Sequence, residues 1–425
     1  MDINSGGASF EVPRSWDWVL FFLLFSGPPK LRLRDPSASL EGVIDWVVIL
    51  QVVTWGLAGI WVLKKLRTRK KLGWKFSSIE KLSLVFVACL AFSIFFSEGP
   101  ALTIFKVYQL AISVLFTSAF VHVYGPKSAL RGIFVGSAIL CVADVVAVFI
   151  APTMVFGETE LGAVRFTGSL LGETGVVGVF ALVLFLTDVH KRGTLKTAVS
   201  LLIFGCVSLF SFMRTSYLAF FAFLIFSIWK APDLKLLKRV TRWALVGIPI
   251  AIMWGAVAVF GQYRSSEEIW TLSDRLGLWA YLLDAMWTKS PLFGLGYFAA
   301  SRIYGPEYNP GLGTAHSVFI EVLVGGGIVS FIVFIFIWCY LFYLAFRLGG
   351  KAPDPVSFSA LGVLLVTTLF VLIGSELEAS PAGFAVWVLV ASIPLLLAEG
   401  GIQVRSGGLA SRSLPSAPSV PCIQL

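Results

Sequence analysis

Three arginines, a histidine and a few intramembrane acids are the residues of this 425-residue chain whose types and positions could support chemistry. His316 stands in the string GTAHSVFIEVLVGGGIVS, and Glu321 follows one and a half helical turns later. An imidazole has an ordinary pKa of about 6.5 and can accept a proton at neutral pH. From composition alone, an interfacial histidine that is bonded to a loop carbonyl is an equally open interpretation.

Arg165, Arg214 and Arg275 each stand at the edge of an apolar segment. A single arginine at a membrane boundary is usually structural, because its long side chain reaches the headgroups at little cost. Three arginines on one side, together with a histidine, are harder to explain in that way. Guanidinium groups bind phosphate oxygens in pairs and remain charged, so the group predicts a diphosphate site at the membrane surface.

Charged residues inside apolar segments are the other candidates, since a charge in the membrane is costly. Glu321, Asp144 and Glu173 could orient or neutralise the arginines. For Asp144 and Glu173, a polar contact between helices is the favoured interpretation. Lys106 could join the phosphate site or simply extend to the headgroups.

Other kinds of site find little support in the sequence. No two acids are spaced as Asp-x-Asp, the histidines are isolated, and the five cysteines form no zinc or disulfide pattern. GLG at 294–296 lacks the third glycine of a dinucleotide-binding fingerprint, and no GxxxxGK[ST] loop occurs. We therefore expect no metal, no cofactor and no nucleic-acid partner, and we attribute the net charge of +9 to loop orientation.

Membrane spans are the elements that must position these residues. Hydrophobic residues make up 57% of the chain and charged residues 13%, with a mean hydropathy of +0.87, which excludes a water-soluble globule. We predict an all-α, polytopic integral membrane protein with a single domain at 1–398 and a disordered tail at 399–425. Twelve segments are long enough to cross about 30 Å of hydrocarbon: 15–29, 42–63, 79–97, 101–123, 130–151, 168–188, 197–213, 215–229, 243–260, 318–346, 358–374 and 383–398.

The distribution of positive charge predicts the orientation of these spans. With a cytoplasmic N-terminus, 23 of the 33 Lys and Arg residues fall on the cytoplasmic side, as is typical of inner-membrane proteins. Both termini are then cytoplasmic, and the three arginines and His316 face outward. A basic cluster at 30–34 runs against this orientation, which leaves open whether the first segment spans.

One outer connection, 261–315, is long, and a structured connection of 55 residues is usually functional. The stretch SDRLGLWAYLLDAMW carries Leu276, Trp279, Leu283 and Met286 at helical spacing, which predicts a helix lying along the membrane surface. SPLFGLG at 290–296 predicts turns that lead back to the bilayer.

Five strings in this order resemble the O-antigen ligase and polysaccharide polymerase family of bacterial envelopes. They are VRFTGS (164–169), SFMRTSYLAF (211–220), LSDRLGLW (272–279), SPLFGLGYF (290–298) and AHSVFIEVLVGGGIVS (315–330). The resemblance covers about residues 160–330, and only the ordered set is specific. Two departures concern donor binding: GSLLGET stands where many members carry asparagines, and Ser317 follows the histidine where Asn is commoner.

The resemblance implies metal-independent glycosyl transfer on the periplasmic face of the bacterial inner membrane. The donor would be a glycan on undecaprenyl diphosphate, and the acceptor a sugar hydroxyl on a glycan or on a lipid-linked glycan. A flippase and a chain-length regulator of the same pathway are further implied partners. Polymerase is slightly favoured over ligase. A transporter or flippase of lipid-linked oligosaccharides is the alternative, although the chain shows no internal repeat.

The resemblance also assigns candidate roles to individual residues. Four are candidate catalytic residues: His316, Arg275, Arg214 and Arg165. Three are candidate substrate-binding residues: Glu321, Trp279 and Lys106. The arginines would contact the diphosphate, with an acceptor-orienting role also open to the first of them, and the histidine would activate or position the acceptor hydroxyl. The tryptophan could stack on a sugar ring or anchor the loop at the interface.

Overall fold

The computed structural model describes residues 10–27, 46–68, 75–158, 164–166, 174–188, 194–211, 213–230, 275–309, 314–349, 354–373, 377 and 380–410. The helices are α1 (Ser15–Ser26), α2 (Trp46–Thr68), α3 (Ser78–Phe92) with a 3-10 turn at Ser93–Phe96, α4 (Pro100–Tyr124), α5 (Pro126–Ile150), α6 (Pro152–Val155), α7 (Thr174–Asp188), α8 (Thr194–Phe210), α9 (Arg214–Lys230), α10 (Arg275–Lys289), α11 (Ala299–Tyr308), α12 (Val318–Leu348), α13 (Pro355–Ile373) and α14 (Pro381–Ala410). Two short strands, β1 (Phe156–Glu158) and β2 (Val164–Phe166), form an antiparallel pair.

The predicted all-α, polytopic membrane class is confirmed, with this small hairpin as an addition. Within the described residues, seven helices are long and apolar enough to cross a membrane: α2, α3 with its 3-10 turn, α4, α5, α12, α13 and α14. Four more, α1, α7, α8 and α9, are apolar but shorter. Together they correspond to eleven of the twelve predicted segments, and the remaining segment, 243–260, lies outside the described residues.

Several helix boundaries differ from the prediction by a few residues, and two of them show how the local sequence sets a helix end. Helix α5 begins at Pro126 rather than at residue 130, because Gly125 adopts a φ of 83° and the proline that follows suits the first helical position. Helix α14 continues to Ala410 and so overlaps the first part of the 399–425 segment, for which disorder is predicted. No proline occurs between residues 395 and 410 to end that helix.

The short first helix is part of the bundle. Asp17 on α1 is buried, and its carboxylate accepts hydrogen bonds from the Trp61 indole at 2.7 Å and from the Tyr124 hydroxyl at 2.7 Å. These bonds join α1 to α2 and α4. Phe21 on the same helix packs edge-on against Phe384 of α14 at a centroid distance of 5.1 Å. Polar and aromatic contacts therefore hold the first predicted segment against three other helices.

Helix α12 is broken at Gly327, where φ is 71° and ψ is −177°. The turn at 291–296 occupies the break and satisfies its free backbone groups. Leu295 N–H and Gly296 N–H donate to the carbonyls of Val324 and Gly325, and the N–H groups of Ile328 and Val329 donate to Pro291 and Leu292, all at 3.0 to 3.2 Å. Unpaired backbone N–H and C=O groups are costly inside a membrane. These four hydrogen bonds therefore fix the 291–296 turn to α12.

Candidate functional site

His316 lies at the point where the 261–315 connection leads into α12. Its φ of 52° is in the left-handed region, which is uncommon for a residue other than glycine. The side chain is half-buried, and the positive charges of Arg275 on α10 and Arg302 on α11 act on it. Burial, followed by these two positive charges, lowers the pKa of His316 to about 4. The imidazole is therefore neutral at pH 7 and able to accept a proton.

Arg275 is the first residue of α10, and burial lowers the pKa of its guanidinium. The group stays charged at neutral pH, because an arginine ordinarily titrates above about 12. The same helix buries Leu278, Leu282 and Met286 against α11 and α12, whereas Leu276 remains 47% exposed. Of the predicted apolar stripe, Met286 is buried, Trp279 and Leu283 are partly buried against the same cluster, and Leu276 is exposed.

Trp279 connects α10 to the segment that carries His316. Its indole N–H donates to the carbonyl oxygen of Ala315 at 2.7 Å. The ring packs at the edge of a small apolar cluster that includes Leu295 and Tyr304. The polar end of this side chain thus positions the residue directly before the histidine.

Glu321 connects α12 to α11. The carboxylate is 8% exposed and accepts a hydrogen bond from the Ser301 hydroxyl at 3.0 Å. Ser301 directly precedes Arg302, so this contact fixes the turn of α11 that carries the arginine whose charge lowers the pKa of His316.

Lys106 approaches the same group of elements from α4. Its Nζ lies 3.7 Å from the centroid of the Phe298 ring, and Arg302 Cζ lies 5.1 Å from that centroid. Phe298 is buried and adopts a φ of 65°. A cation near an aromatic face is stabilised by the ring's quadrupole. The ring therefore holds two positive charges close together at this end of the molecule.

A second set of polar contacts attaches α10 and α11 to the turn before α4. Lys289 donates to the Glu98 carboxylate at 2.7 Å and to the Tyr304 hydroxyl at 2.7 Å. These hydrogen bonds, the one to Glu98 first, raise the pKa of Lys289. The contacts fix α10 and α11 relative to the turn that precedes α4.

For Arg165 and Arg214 the structure describes the backbone. Arg165 lies in β2 opposite Gly157, and Arg214 begins α9 directly after Met213. The structure thus brings five of the seven candidate residues into one region and connects them through α10, α11 and α12. Whether the other two guanidinium groups join them remains a prediction.

The sequence-based prediction missed Arg302. Arg302 is one of four Lys and Arg residues in the 261–315 connection. Unlike the three predicted arginines, it does not stand at the edge of an apolar segment. The one feature of the sequence that could have pointed to Arg302 is its place in the long 261–315 connection. In the part of the chain that the structure describes, no group of three His, Cys, Asp or Glu residues could hold a metal ion.

Residues 198–335 match the family model described as O-antigen ligase. The chain therefore carries a domain of the O-antigen ligase family. No curated protein matches the chain. The O-antigen ligase domain includes Arg214, Arg275, Arg302 and His316, whereas Arg165 precedes it.

The O-antigen ligase domain supports the predicted family and a function of the ligase or polymerase type. The family implies a glycosyltransferase-like enzyme that acts on lipid-linked oligosaccharides and glycans. Together with the apolar helices, it identifies the chain as a membrane protein of polysaccharide biosynthesis.

Proposed function

We propose that this protein transfers a glycan from undecaprenyl diphosphate to a sugar hydroxyl on the periplasmic face of the bacterial inner membrane, without a metal ion. Polymerisation of lipid-linked repeat units is slightly favoured over ligation to a finished acceptor. A flippase and a chain-length regulator would act in the same pathway. The observation that carries the proposal is the half-buried His316, whose pKa is lowered by burial and by the positive charges of Arg275 and Arg302.

The arginines suit the leaving group of this reaction. As the bond between the anomeric carbon and the diphosphate oxygen breaks, negative charge develops on the diphosphate. Positively charged side chains that are already in place stabilise that charge without reorganisation. Arg275 and Arg302 would supply this stabilisation, with Arg214, Arg165 and Lys106 as further candidates.

The histidine suits the acceptor. The acceptor hydroxyl oxygen attacks the anomeric carbon, its proton passes to the imidazole of His316, and the lipid diphosphate departs. An imidazole with a pKa of about 4 is a weak base. A bound diphosphate offsets the positive charges of Arg275 and Arg302, which raises the pKa of His316 and makes it a stronger base. Donor binding would therefore prepare the histidine for catalysis.

Purified protein with a lipid-linked oligosaccharide and an acceptor provides the test, with EDTA present throughout. We expect donor consumption and a new glycosidic bond, and a loss of at least about a hundredfold in rate in His316→Ala and in Arg275→Ala. Arg347→Ala, which removes an exposed guanidinium near the far end of α12, is the matched control and should retain activity.

Two outcomes would contradict the proposal. Undiminished transfer in both site variants would remove His316 and Arg275 from the reaction. Movement of the donor across vesicles without a new glycosidic bond would indicate a flippase.

A further inference from the structure

A cavity of about 1070 Å³ opens at the end of the bundle opposite to His316. Helix α4 runs from the region of His316 to the cavity. Its first turn is close to α11, since a Cβ on Gly99 would lie 3.3 Å from the Ala299 side chain, and its last residue, Tyr124, lines the cavity. The 25 residues of α4 separate the two ends by about 36 Å. This cavity is therefore independent of the proposed catalytic site.

One wall of the cavity changes from charged to apolar along a single helix. Four exposed residues line the cavity along one row of α5, each four positions after the one before. They are Lys127, Arg131, Val135 and Ile139. In the described part of the chain, neither Lys127 nor Arg131 forms an ion pair. Phe22 and Val19 of α1 add apolar surface to the cavity lining. The row spans about 18 Å, close to the thickness of one leaflet, about 15 Å.

Acidic side chains also line the cavity. Among them are two exposed acids. Asp354 lies just before α13, and Glu399 lies on α14. Asp354 also accepts a hydrogen bond from the N–H of Val356 at 2.9 Å, which holds its carboxylate in place. A ligand that fits here must present a negative group to the two cations, a positive group to the two acids, and an apolar chain to α5.

We propose that this cavity binds a phospholipid whose headgroup carries both a phosphate and a primary ammonium. The phosphate contacts Lys127 and Arg131, and the ammonium, with its three donors, contacts Asp354 and Glu399. One acyl chain lies along Val135 and Ile139. An anionic headgroup without the ammonium would meet the two carboxylates unpaired, and a quaternary ammonium would lack N–H donors for them.

The test uses the full chain in detergent, mixed with equal amounts of phosphatidylethanolamine, phosphatidylglycerol and phosphatidylcholine that have identical acyl chains. Native mass spectrometry counts the lipids retained. We expect one retained phosphatidylethanolamine per protein, preferred by about tenfold over the other two lipids. Lys127→Ala combined with Arg131→Ala should abolish retention, and Glu399→Gln should remove the preference over phosphatidylcholine.

Matched controls separate this site from the general lipid shell. The double variant Lys81→Ala, Arg347→Ala removes one lysine and one arginine from exposed positions outside the cavity. This control variant should retain the lipid. Val135→Trp fills the apolar part and should prevent retention, while the thermal unfolding curve checks that the variant folds.

Three results would overturn the proposal. Equal retention of the lipid by all variants would mean that the lipid binds around the protein surface and not in the cavity. Preferential retention of phosphatidylglycerol would refute the assigned headgroup. Increased retention after deletion of residues 1–9 would mean that this segment of the chain occupies the cavity.

Discussion

At the scale of single residues, the electrostatic setting of His316 leads to a pH prediction. Burial and the charges of Arg275 and Arg302 lower its pKa to about 4, so the neutral base persists well below pH 6.5. The acid limb of kcat/KM, which reports the free enzyme, should therefore lie near pH 4. Arg302→Gln removes one of the positive charges and should move the limb to higher pH, whereas Arg347→Gln should leave it in place. A limb near pH 6.5 in the unmodified enzyme would contradict this assignment.

Trp279 provides a second prediction for a single side chain. Trp279→Phe removes the indole N–H that donates to Ala315 and leaves that carbonyl without this partner, at a cost of about 1–3 kcal/mol. We expect a lower kcat, because the residue next to His316 loses its anchor, and a smaller change in KM. Trp287→Phe, at a ring that is 58% exposed, is the control and should behave like the unmodified enzyme. Steady-state kinetics distinguishes the two, and an unchanged kcat in Trp279→Phe would show that the bond is dispensable.

At the scale of elements, the broken helix α12 and the turn inserted into it depend on glycine. Gly327 has a φ of 71°, and a Cβ there would overlap the backbone of Leu292 and Gly294. Gly327→Ala should therefore detach the 291–296 turn, lower thermal stability by a strain of about 1–3 kcal/mol or more, and reduce activity. Gly56→Ala on α2, where a Cβ meets nothing within 4 Å, should be neutral or stabilising. Thermal unfolding of both variants measures the difference, and equal curves would argue against the inserted turn.

At the scale of the whole molecule, the two ends of the bundle should face opposite sides of the membrane. Lys75 precedes α3, and Glu80 of that helix contacts His122 near the end of α4, whereas Glu307 lies on α11 at the other end. In a variant without native cysteines, Lys75→Cys should react with a membrane-impermeant maleimide only in inverted vesicles. Glu307→Cys should react in intact spheroplasts. The reverse pattern would invert the predicted topology and place His316 on the cytoplasmic side.

Local patterns explain how much of this fold could be predicted. Runs of apolar residues report the length of a span directly, since the membrane imposes its thickness on each segment separately. Eleven of the twelve predicted segments accordingly coincide with apolar helices. The positions of His316 and Arg275 followed from short strings in a long connection, and the family match at 198–335 agrees with those strings.

The sequence by itself thus determined the membrane class, the approximate spans and the family. Tertiary structure decided which distant residues interact: it placed Arg302 where its charge lowers the pKa of His316, turned Leu278 rather than Leu276 inward on α10, and inserted the 291–296 turn into α12. Hydropathy is a property of each segment alone, and it can be read along the chain. Contacts between distant segments depend on packing and on backbone pairing across the whole bundle, and no local pattern encodes them.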